Sequence, residues 1–242
     1  MTILMMSELL ELLAEAVDLK PGQRVLDVAS GNGNASLAAA RRFCEVVAID
    51  YVPMLLEEGR KRAEAEGLTV DFREGGAEDL PFEDASFDVV LSTLGVIFAP
   101  DQQTVADELL RVCKPGGKIG LVNWAPDGYV AYLFRTIGKA VPPPVGLKPP
   151  FRWGTEEGLG ELLDGGIGSL QMRRYNLMWR FVALPIGQAP RRVHARLLRP
   201  APQGLRDARR RRAKCAGGRL DLTDRAVQSF KRRYCSVARR LP

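Results

Sequence analysis

The residues best suited to chemistry lie early in the chain, around a glycine-rich turn. An apolar run that contains Asp27 is followed by a turn with Gly31 and Gly33. The next apolar run, residues 46–49, ends on Asp50. Strand, glycine-rich turn, helix and an acidic residue after the next strand form the general arrangement of nucleotide-binding sites. The glycines let the backbone approach a ligand, and the carboxylate can accept hydrogen bonds from both hydroxyls of a ribose.

Asp27 separates two classes of ligand. A dinucleotide places its pyrophosphate at the N-terminus of the helix after the turn. A fixed carboxylate four residues before Gly31 suits instead a ligand with a cationic ammonium and no phosphate there. S-adenosylmethionine carries such an ammonium group. A nicotinamide-dependent oxidoreductase is therefore the least favoured interpretation.

The elements that must position these residues alternate between strands and helices. This alternation predicts an α/β fold with a Rossmann-like, doubly wound, mostly parallel sheet. A helix with Leu9, Leu10, Leu13 and Val17 on one face is expected to precede the first strand. Further strands are expected at residues 46–49, 70–72, 87–92 and 118–123 and within residues 169–181, with a weak helix near residues 156–163.

Four stretches in order resemble the motifs of class I S-adenosylmethionine-dependent methyltransferases. The closest resemblance is to the branch that includes ubiquinone- and menaquinone-biosynthesis methyltransferases. The stretches are VLDVASGNG at residues 25–33, VAIDY at residues 47–51, AEDLPF with SFDVV at residues 77–90, and RVCKPGG at residues 111–117. The resemblance covers residues 8–182 and implies a methyltransferase fold, S-adenosyl-L-methionine as cofactor and methyl transfer as the activity.

The resemblance also implies which residues hold the cofactor. Gly31 and Gly33 would line its methionine moiety, and Asp27 would lie near the ammonium group. Asp50 would hold the ribose. The remaining expected contacts are Ala29 in the turn, Tyr51 near the adenine, Ala77 and Glu78 along the adenine edge, and Ser92 beside the departing methyl group.

The sequence names no catalytic base. The single histidine, His194, lies in an arginine-rich region near the C-terminus. Methyl transfer from a sulfonium gains mostly from positioning, and a base is needed only where the acceptor must first lose a proton. We therefore expect a phenol, an enolisable carbon or an amine as acceptor. Phe98, Phe151 and Trp153 are expected to pack in the interior more readily than to line a pocket, whereas Trp124 is equally suited to both.

Charge divides the chain into two parts. The net charge is +6, yet residues 189–242 hold 15 arginines and 2 lysines against 3 aspartates, which leaves the remainder acidic. We expect a methyltransferase domain at residues 1–182 and an atypical arginine-rich tail at residues 183–242. Arginine, alanine, proline and glycine make up 30 of the last 54 residues, without apolar periodicity. The sequence therefore predicts a sheet that lacks the last antiparallel strand of the family.

Three explanations of this tail stay open. It is a disordered, solvated segment, an arm for nucleic acid or an acidic partner, or the product of a reading-frame shift near residue 182. Two alternative functions follow from it. One is a non-catalytic or crippled relative, and the other is an RNA methyltransferase whose salt-dependent RNA affinity would require residues 189–242. A small-molecule acceptor is favoured over nucleic acid.

The remaining features concern the cellular context. By the resemblance, the aromatic helix that closes over the cofactor in relatives is expected to be missing or shortened here. Residues 1–6 are apolar but lack the basic start and cleavage site of a signal peptide, and no apolar run approaches the length of a membrane span. The four cysteines form no CxxC pair, so we expect a cytoplasmic protein without disulfides, a metal site or a membrane partner. The acceptor and the oligomeric state stay undetermined.

Overall fold

The described residues form a seven-stranded sheet flanked by helices. The computed structural model describes residues 2–143, 146–175 and 233–241. The strands are β1 (Arg24–Val28), β2 (Glu45–Asp50), β3 (Asp71–Glu74), β4 (Phe87–Thr93), β5 (Cys113–Trp124), β6 (Ile167–Tyr175) and β7 (Arg233–Arg240). The helices are α1 (Thr2–Ala16), α2 (Asn34–Ala40), α3 (Pro53–Ala65), α4 (Gln102–Val112), α5 (Tyr129–Ala140) and α6 (Glu156–Leu162), with short 3-10 helices at Val96–Phe98 and Pro150–Gly154.

The strand order is β3-β2-β1-β4-β5-β7-β6. The first five strands of the chain pair in parallel, and β7 runs antiparallel to both β5 and β6. This confirms the Rossmann-like, doubly wound and mostly parallel sheet. The order reverses between β1 and β4, which is where open α/β sheets form their ligand crevice.

Alternate residues of the parallel strands face opposite layers of helices. In β1, Val25 packs in a cluster with residues of α1 and α2, whereas Leu26 and Val28 pack with residues of α4 and α6. Both faces are therefore buried, as expected of parallel strands. The predicted apolar face of α1 is confirmed, since Leu9, Leu10, Leu13 and Val17 are all buried.

The expected absence of the last strand is wrong. Arg233–Arg240 forms β7, which pairs with β5 over residues 233–239 and with β6 over residues 233–240. Ala238 lies opposite Ile119 and is buried in the main core cluster. The β7 strand needs few apolar residues, because its backbone hydrogen-bonds to a neighbouring strand on each side. Its arginine-rich sequence therefore lacks the apolar pattern from which a strand is predicted.

Two other differences from the expected elements bear on the site. Helix α5 and the two 3-10 helices are not predicted from the sequence. Residues 114–117, the end of the fourth recognised motif, lie inside β5, where the register with β4 jumps from Phe87 opposite Cys113 to Val89 opposite Lys118. The weak helix expected near residues 156–163 is confirmed as α6.

Much of the expected tail lies outside the described residues. Residues 183–232, with His194, and residue 242 belong to that part, so the domain boundary at residue 182 and the three explanations of the tail stay predictions. None of the helices within the described ranges is long and apolar enough to cross a membrane.

The position of β7 predicts a strong effect of charge at Ala238. Ala238→Asp would bury an unpaired carboxylate between β5 and β6, and we expect it to lower the free energy of unfolding by about 3 kcal/mol or more. Chemical denaturation measures this change. Ser169→Asp, at an exposed position of β6, is the control and should stay within about 0.5 kcal/mol of the parent. Equal stability of the two variants would contradict the assignment of β7.

Candidate functional site

The predicted cofactor residues lie at the carboxyl edge of the parallel strands or in the loops that leave it. β1, β2, β3 and β4 are adjacent in the sheet, so the loops that follow them share one edge. Each of these strands, or the loop that follows it, contributes at least one predicted residue. These residues are Asp27, Ala29, Gly31 and Gly33 with β1, Asp50 and Tyr51 with β2, Ala77 and Glu78 after β3, and Ser92 in β4.

The glycine-rich loop, residues 29–33, is fastened to β2. The Ser30 N–H donates to the carbonyl oxygen of Ile49 at 3.0 Å. The Gly31 N–H donates to Oδ2 of Asp50 at 2.8 Å. The backbone of the loop is therefore held in place by the protein itself.

Asp50 ends β2 and is nearly fully buried. Its Oδ2 accepts the hydrogen bond from Gly31, and its Oδ1 accepts one from the Val52 N–H at 2.9 Å. Because each carboxylate oxygen has two lone pairs, both oxygens keep the capacity to accept a further hydrogen bond. Asp50 thus ties the glycine-rich loop to the start of α3 and still offers two acceptors to a diol.

Asp27 lies in β1, two residues before the glycine-rich loop, and is 1% exposed. Its Oδ2 accepts hydrogen bonds from Ser36 on α2, from N–H at 2.9 Å and from Oγ at 2.5 Å. Its Oδ1 is buried and has no hydrogen-bond partner among the described residues. Burial raises the pKa of Asp27 from 3.8 to about 7, against the hydrogen bonds from Ser36, and the charge of Asp50 raises it as well.

Ser92 joins β4 to the end of β1. Its side chain is fully buried, and Oγ donates to the carbonyl oxygen of Val28 at 2.8 Å. Three residues later, a side chain at Gly95 would collide with Cβ and the carbonyl oxygen of Ala29. The loops after β1 and β4 are therefore in direct contact, and the hydroxyl of Ser92 serves this junction.

The residues predicted near adenine differ in their exposure and in their hydrogen bonds. Tyr51 is 71% exposed, so its ring is available for stacking. Ala77 is half-buried against the core. Glu78 accepts a hydrogen bond at Oε1 from the N–H of Asp101, at the start of α4, with an N–O distance of 2.7 Å. The carboxylate of Glu78 thus fastens its loop to α4.

Two of the recognised motifs contact each other. Arg111 on α4 donates from Nη1 to the carbonyl oxygen of Phe82 at 2.7 Å and from Nη2 to that of Leu80 at 2.9 Å. Glu108 accepts a hydrogen bond from the Leu80 N–H at 2.7 Å. Arg111 also holds the pKa of the Glu108 carboxyl below its usual range, mainly through their side-chain hydrogen bonds. The loop after β3 is therefore anchored to α4 by charged side chains.

An aromatic group lies beyond β4 and β5. Phe98 stacks on Phe134 of α5 with ring centroids 6.1 Å apart, and Phe134 meets Phe151 edge-on at 5.6 Å. Phe98 is 57% exposed, so much of its ring is accessible to solvent. Trp153, in contrast, is fully buried in the core. We call Phe98, Phe134 and Phe151 the aromatic trio.

Sequence reasoning missed three residues that shape this edge. Ser36 is detectable as a hydroxyl three residues after Gly33, in the first turn of α2. Arg62 donates from Nη1 to the carbonyl oxygen of Asn32 at 2.7 Å and to Oδ1 of Asn34 at 2.8 Å, a contact across 30 residues without a local signal. Phe134 belongs to α5, which was not predicted at all. In the described part of the chain, no cluster of three or more potential metal ligands occurs.

The part of the chain that forms this edge matches a known protein family. Residues 25–117, which run from β1 to the start of β5, match a methyltransferase domain family. A demethylmenaquinone methyltransferase of Deinococcus radiodurans is 37% identical over 137 residues, which cover 55% of this chain and 56% of that protein. Residues 25–117 are therefore a methyltransferase domain. The Deinococcus radiodurans relative is of the menaquinone-biosynthesis type that the four motifs resemble.

Two further similarities extend this result. An uncharacterised protein of Mycobacterium tuberculosis is 43% identical over 170 residues, which are 70% of this methyltransferase chain and 62% of that relative. The match thus spans about three-fifths of the length of this relative. The crystal structure of the YcgJ protein of Bacillus subtilis shares the fold with a TM-score of 0.65 at 22% identity, over 96% of this chain and 97% of that one.

The buried Asp27 predicts that the stability of this methyltransferase domain depends on pH. Because the pKa is higher in the folded than in the unfolded state, the folded state binds more protons between about pH 4 and pH 7, and stability falls as pH rises through this window. Asp27→Asn removes the charge. Relative to the parent, we expect it to gain up to about 4 kcal/mol between pH 4 and pH 8, since one pKa unit is about 1.4 kcal/mol. Denaturant unfolding at both pH values measures this gain.

Asp88→Asn is the control, for which we expect the opposite dependence of stability on pH. Burial raises the pKa of Asp88, but the hydrogen bonds from Lys114 and from the Arg24 N–H outweigh burial and leave the pKa lowered. The charged form of Asp88 therefore stabilises the fold, so this variant should lose more stability at pH 8 than at pH 4. Parallel pH profiles for the parent and Asp27→Asn would refute the charged, buried state of Asp27.

Proposed function

We propose that this protein transfers a methyl group from S-adenosyl-L-methionine to a small organic acceptor, on oxygen, nitrogen or an activated carbon. The observation that carries the proposal is the link between Asp50 and Gly31. It holds the glycine-rich loop against the end of β2 and leaves two carboxylate acceptors for the ribose hydroxyls. The match of residues 25–117 to a methyltransferase domain supports the same conclusion.

The residues at the edge fit the cofactor. Space is open around Gly31, where an added Cβ would have no neighbour within 4 Å, so the methionine moiety can lie against the loop. Tyr51 is exposed and can cover the adenine, while Asp50 accepts from the ribose. The proposed set of cofactor contacts comprises Ala29, Gly31, Gly33, Asp50, Tyr51, Ala77 and Glu78, with Asp27 and Ser92 supporting the loops from beneath.

Positioning is the main contribution of this chain to catalysis. Bound S-adenosyl-L-methionine supplies a methyl group on a cationic sulfur. Transfer is an in-line displacement, so the protein must align the acceptor with that methyl group and exclude water. The described residues include no histidine, and the buried carboxylates Asp27 and Asp50 are engaged by hydrogen bonds. An acceptor that is acidic or nucleophilic by itself therefore suits this site best.

The aromatic trio forms the proposed wall for the acceptor. Phe98 follows β4 directly, three residues after Gly95, which contacts Ala29 of the glycine-rich loop. A planar acceptor that stacks on Phe98 would lie beside the loop that holds the cofactor. The name of the Deinococcus radiodurans relative, a demethylmenaquinone methyltransferase, supports an aromatic acceptor of phenolic or enolisable character.

Cofactor binding provides the direct test. We expect S-adenosylhomocysteine to bind the purified protein in a calorimetric titration, and Asp50→Ala to weaken binding at least about tenfold, since hydrogen bonds to charged groups are worth about 1.5–3 kcal/mol. Asp71→Ala, at the far end of β3, is the matched control and should bind like the parent. A folded parent protein that does not bind would favour the interpretation as a crippled relative.

The proposed role of Phe98 predicts that its substitution affects binding of the acceptor and not binding of the cofactor. In a methyl-transfer assay with a panel of phenols, enolisable carbons and amines, Phe98→Ala should raise the KM of the preferred acceptor about fivefold or more, because stacking contributes about 1 kcal/mol beyond burial. Its affinity for S-adenosylhomocysteine should stay unchanged. Phe43→Ala, an exposed phenylalanine before β2 at the opposite edge, serves as control. An unchanged acceptor KM would remove Phe98 from the acceptor site.

A further inference from the structure

The first turn of α2 cannot be capped in the usual way. Its N-cap residue is Gly33, which has no side chain to accept a hydrogen bond from the N–H groups that follow. Gly33 is also difficult to replace, because its φ is +78° and an added Cβ would lie 3.0 Å from the ring of Phe72. Residues 35–40 of this helix are buried, so its free N–H groups need a partner within the protein.

Asp27 provides this partner from the neighbouring strand. Ser36 is the third residue of α2, the position whose N–H an N-cap side chain normally satisfies. That N–H donates to Oδ2 of Asp27, and so does the Ser36 hydroxyl. The carboxylate also lies at the positive end of the helix dipole, where a negative charge is favoured. One buried residue of β1 therefore replaces the missing cap.

The position of Asp27 argues against direct contact with a ligand. Oδ2 is engaged by Ser36, and Oδ1 has essentially no accessible surface although it lacks a hydrogen-bond partner among the described residues. A ligand could touch Oδ1 only if the protein atoms that cover it moved. The contacts of Asp27 pass through Ser36 to α2 and from there to Gly33.

We propose that Asp27 and Ser36 form a buried cap that positions the glycine-rich loop for the cofactor, so that Asp27 acts through Ser36 and does not bind the ammonium group of the cofactor. Asp50 and Arg62 hold the same loop at Gly31 and Asn32. The cap completes this set of anchors at the end of the loop nearest the helix. The effect on ligand affinity rests on the proposed function, whereas the effect on the loop does not.

Three single variants and one double variant test the cap by calorimetric titration with S-adenosylhomocysteine. Asp27→Ala should weaken binding about tenfold, Ser36→Ala about threefold, and Asp27→Asn should stay close to the parent because the amide keeps an acceptor oxygen. In the double variant, Ser36→Ala should add little to Asp27→Ala, since the partner is already gone. Should Asp27→Ala fail to fold, the contrast between Ser36→Ala and Asp27→Asn carries the test.

A contact with the ammonium group predicts the reverse order. In that case Asp27→Asn would lose as much affinity as Asp27→Ala, and Ser36→Ala would bind like the parent. The same variants titrated with an analogue of S-adenosylhomocysteine that lacks the α-amino group separate the two roles. The cap predicts an unchanged ratio of the two affinities, whereas an ammonium contact predicts a ratio that collapses towards one, which would overturn the proposal.

Hydrogen–deuterium exchange gives a readout that does not depend on any ligand. The peptide that covers residues 30–37 should exchange about tenfold faster in Asp27→Ala than in the parent and close to parent rates in Asp27→Asn. Unchanged exchange in Asp27→Ala would overturn the cap. Faster exchange in Asp27→Ala with unchanged S-adenosylhomocysteine affinity would show that the cap has a purely structural role, and would overturn its positioning function. Absence of ligand binding in the parent would count against the proposed function alone.

Discussion

The glycine-rich loop between β1 and α2 must turn the chain sharply without side chains of its own to hold it. Glycine at residues 31 and 33 leaves space for a ligand, but it also removes any local cap or packing contact. The structure resolves this conflict with charged side chains from outside the loop. Asp27 acts from β1, Asp50 from β2 and Arg62 from α3. The loop is thus organised by residues that the ligand need not touch.

This arrangement carries a free-energy cost. Asp27 and Asp50 are both buried, and the charge of Asp50 disfavours the charged form of Asp27. A neutral, apolar residue at position 27 would avoid the burial of a carboxyl group, yet it would leave the Ser36 N–H without its acceptor. Such local instability is commonly retained where function needs a defined geometry. The raised pKa of Asp27 reflects the cost of burying this carboxyl group.

The sequence was sufficient for the parts of the site that depend on local pattern. The glycine-rich turn, Asp50 at the end of β2 and the alternation of strands and helices all follow from neighbouring residues. The contact of Arg62 with the loop, the anchoring of Leu80 by Arg111 and the pairing of β7 with β5 do not. These depend on tertiary contacts between distant segments, and in β7 the supporting interaction is backbone pairing, which has little dependence on side-chain type.

The carboxyl edge of the sheet is divided at the point where the strand order reverses. The loops after β1, β2 and β3 are polar and tied by hydrogen bonds, whereas the segments after β4 and β5 present the aromatic trio. The contact between Gly95 and Ala29 joins the two halves. A side chain at residue 95 would collide with Ala29, so this approach requires glycine. The close packing of the two loops therefore fixes the distance between the polar half and the aromatic half of the edge.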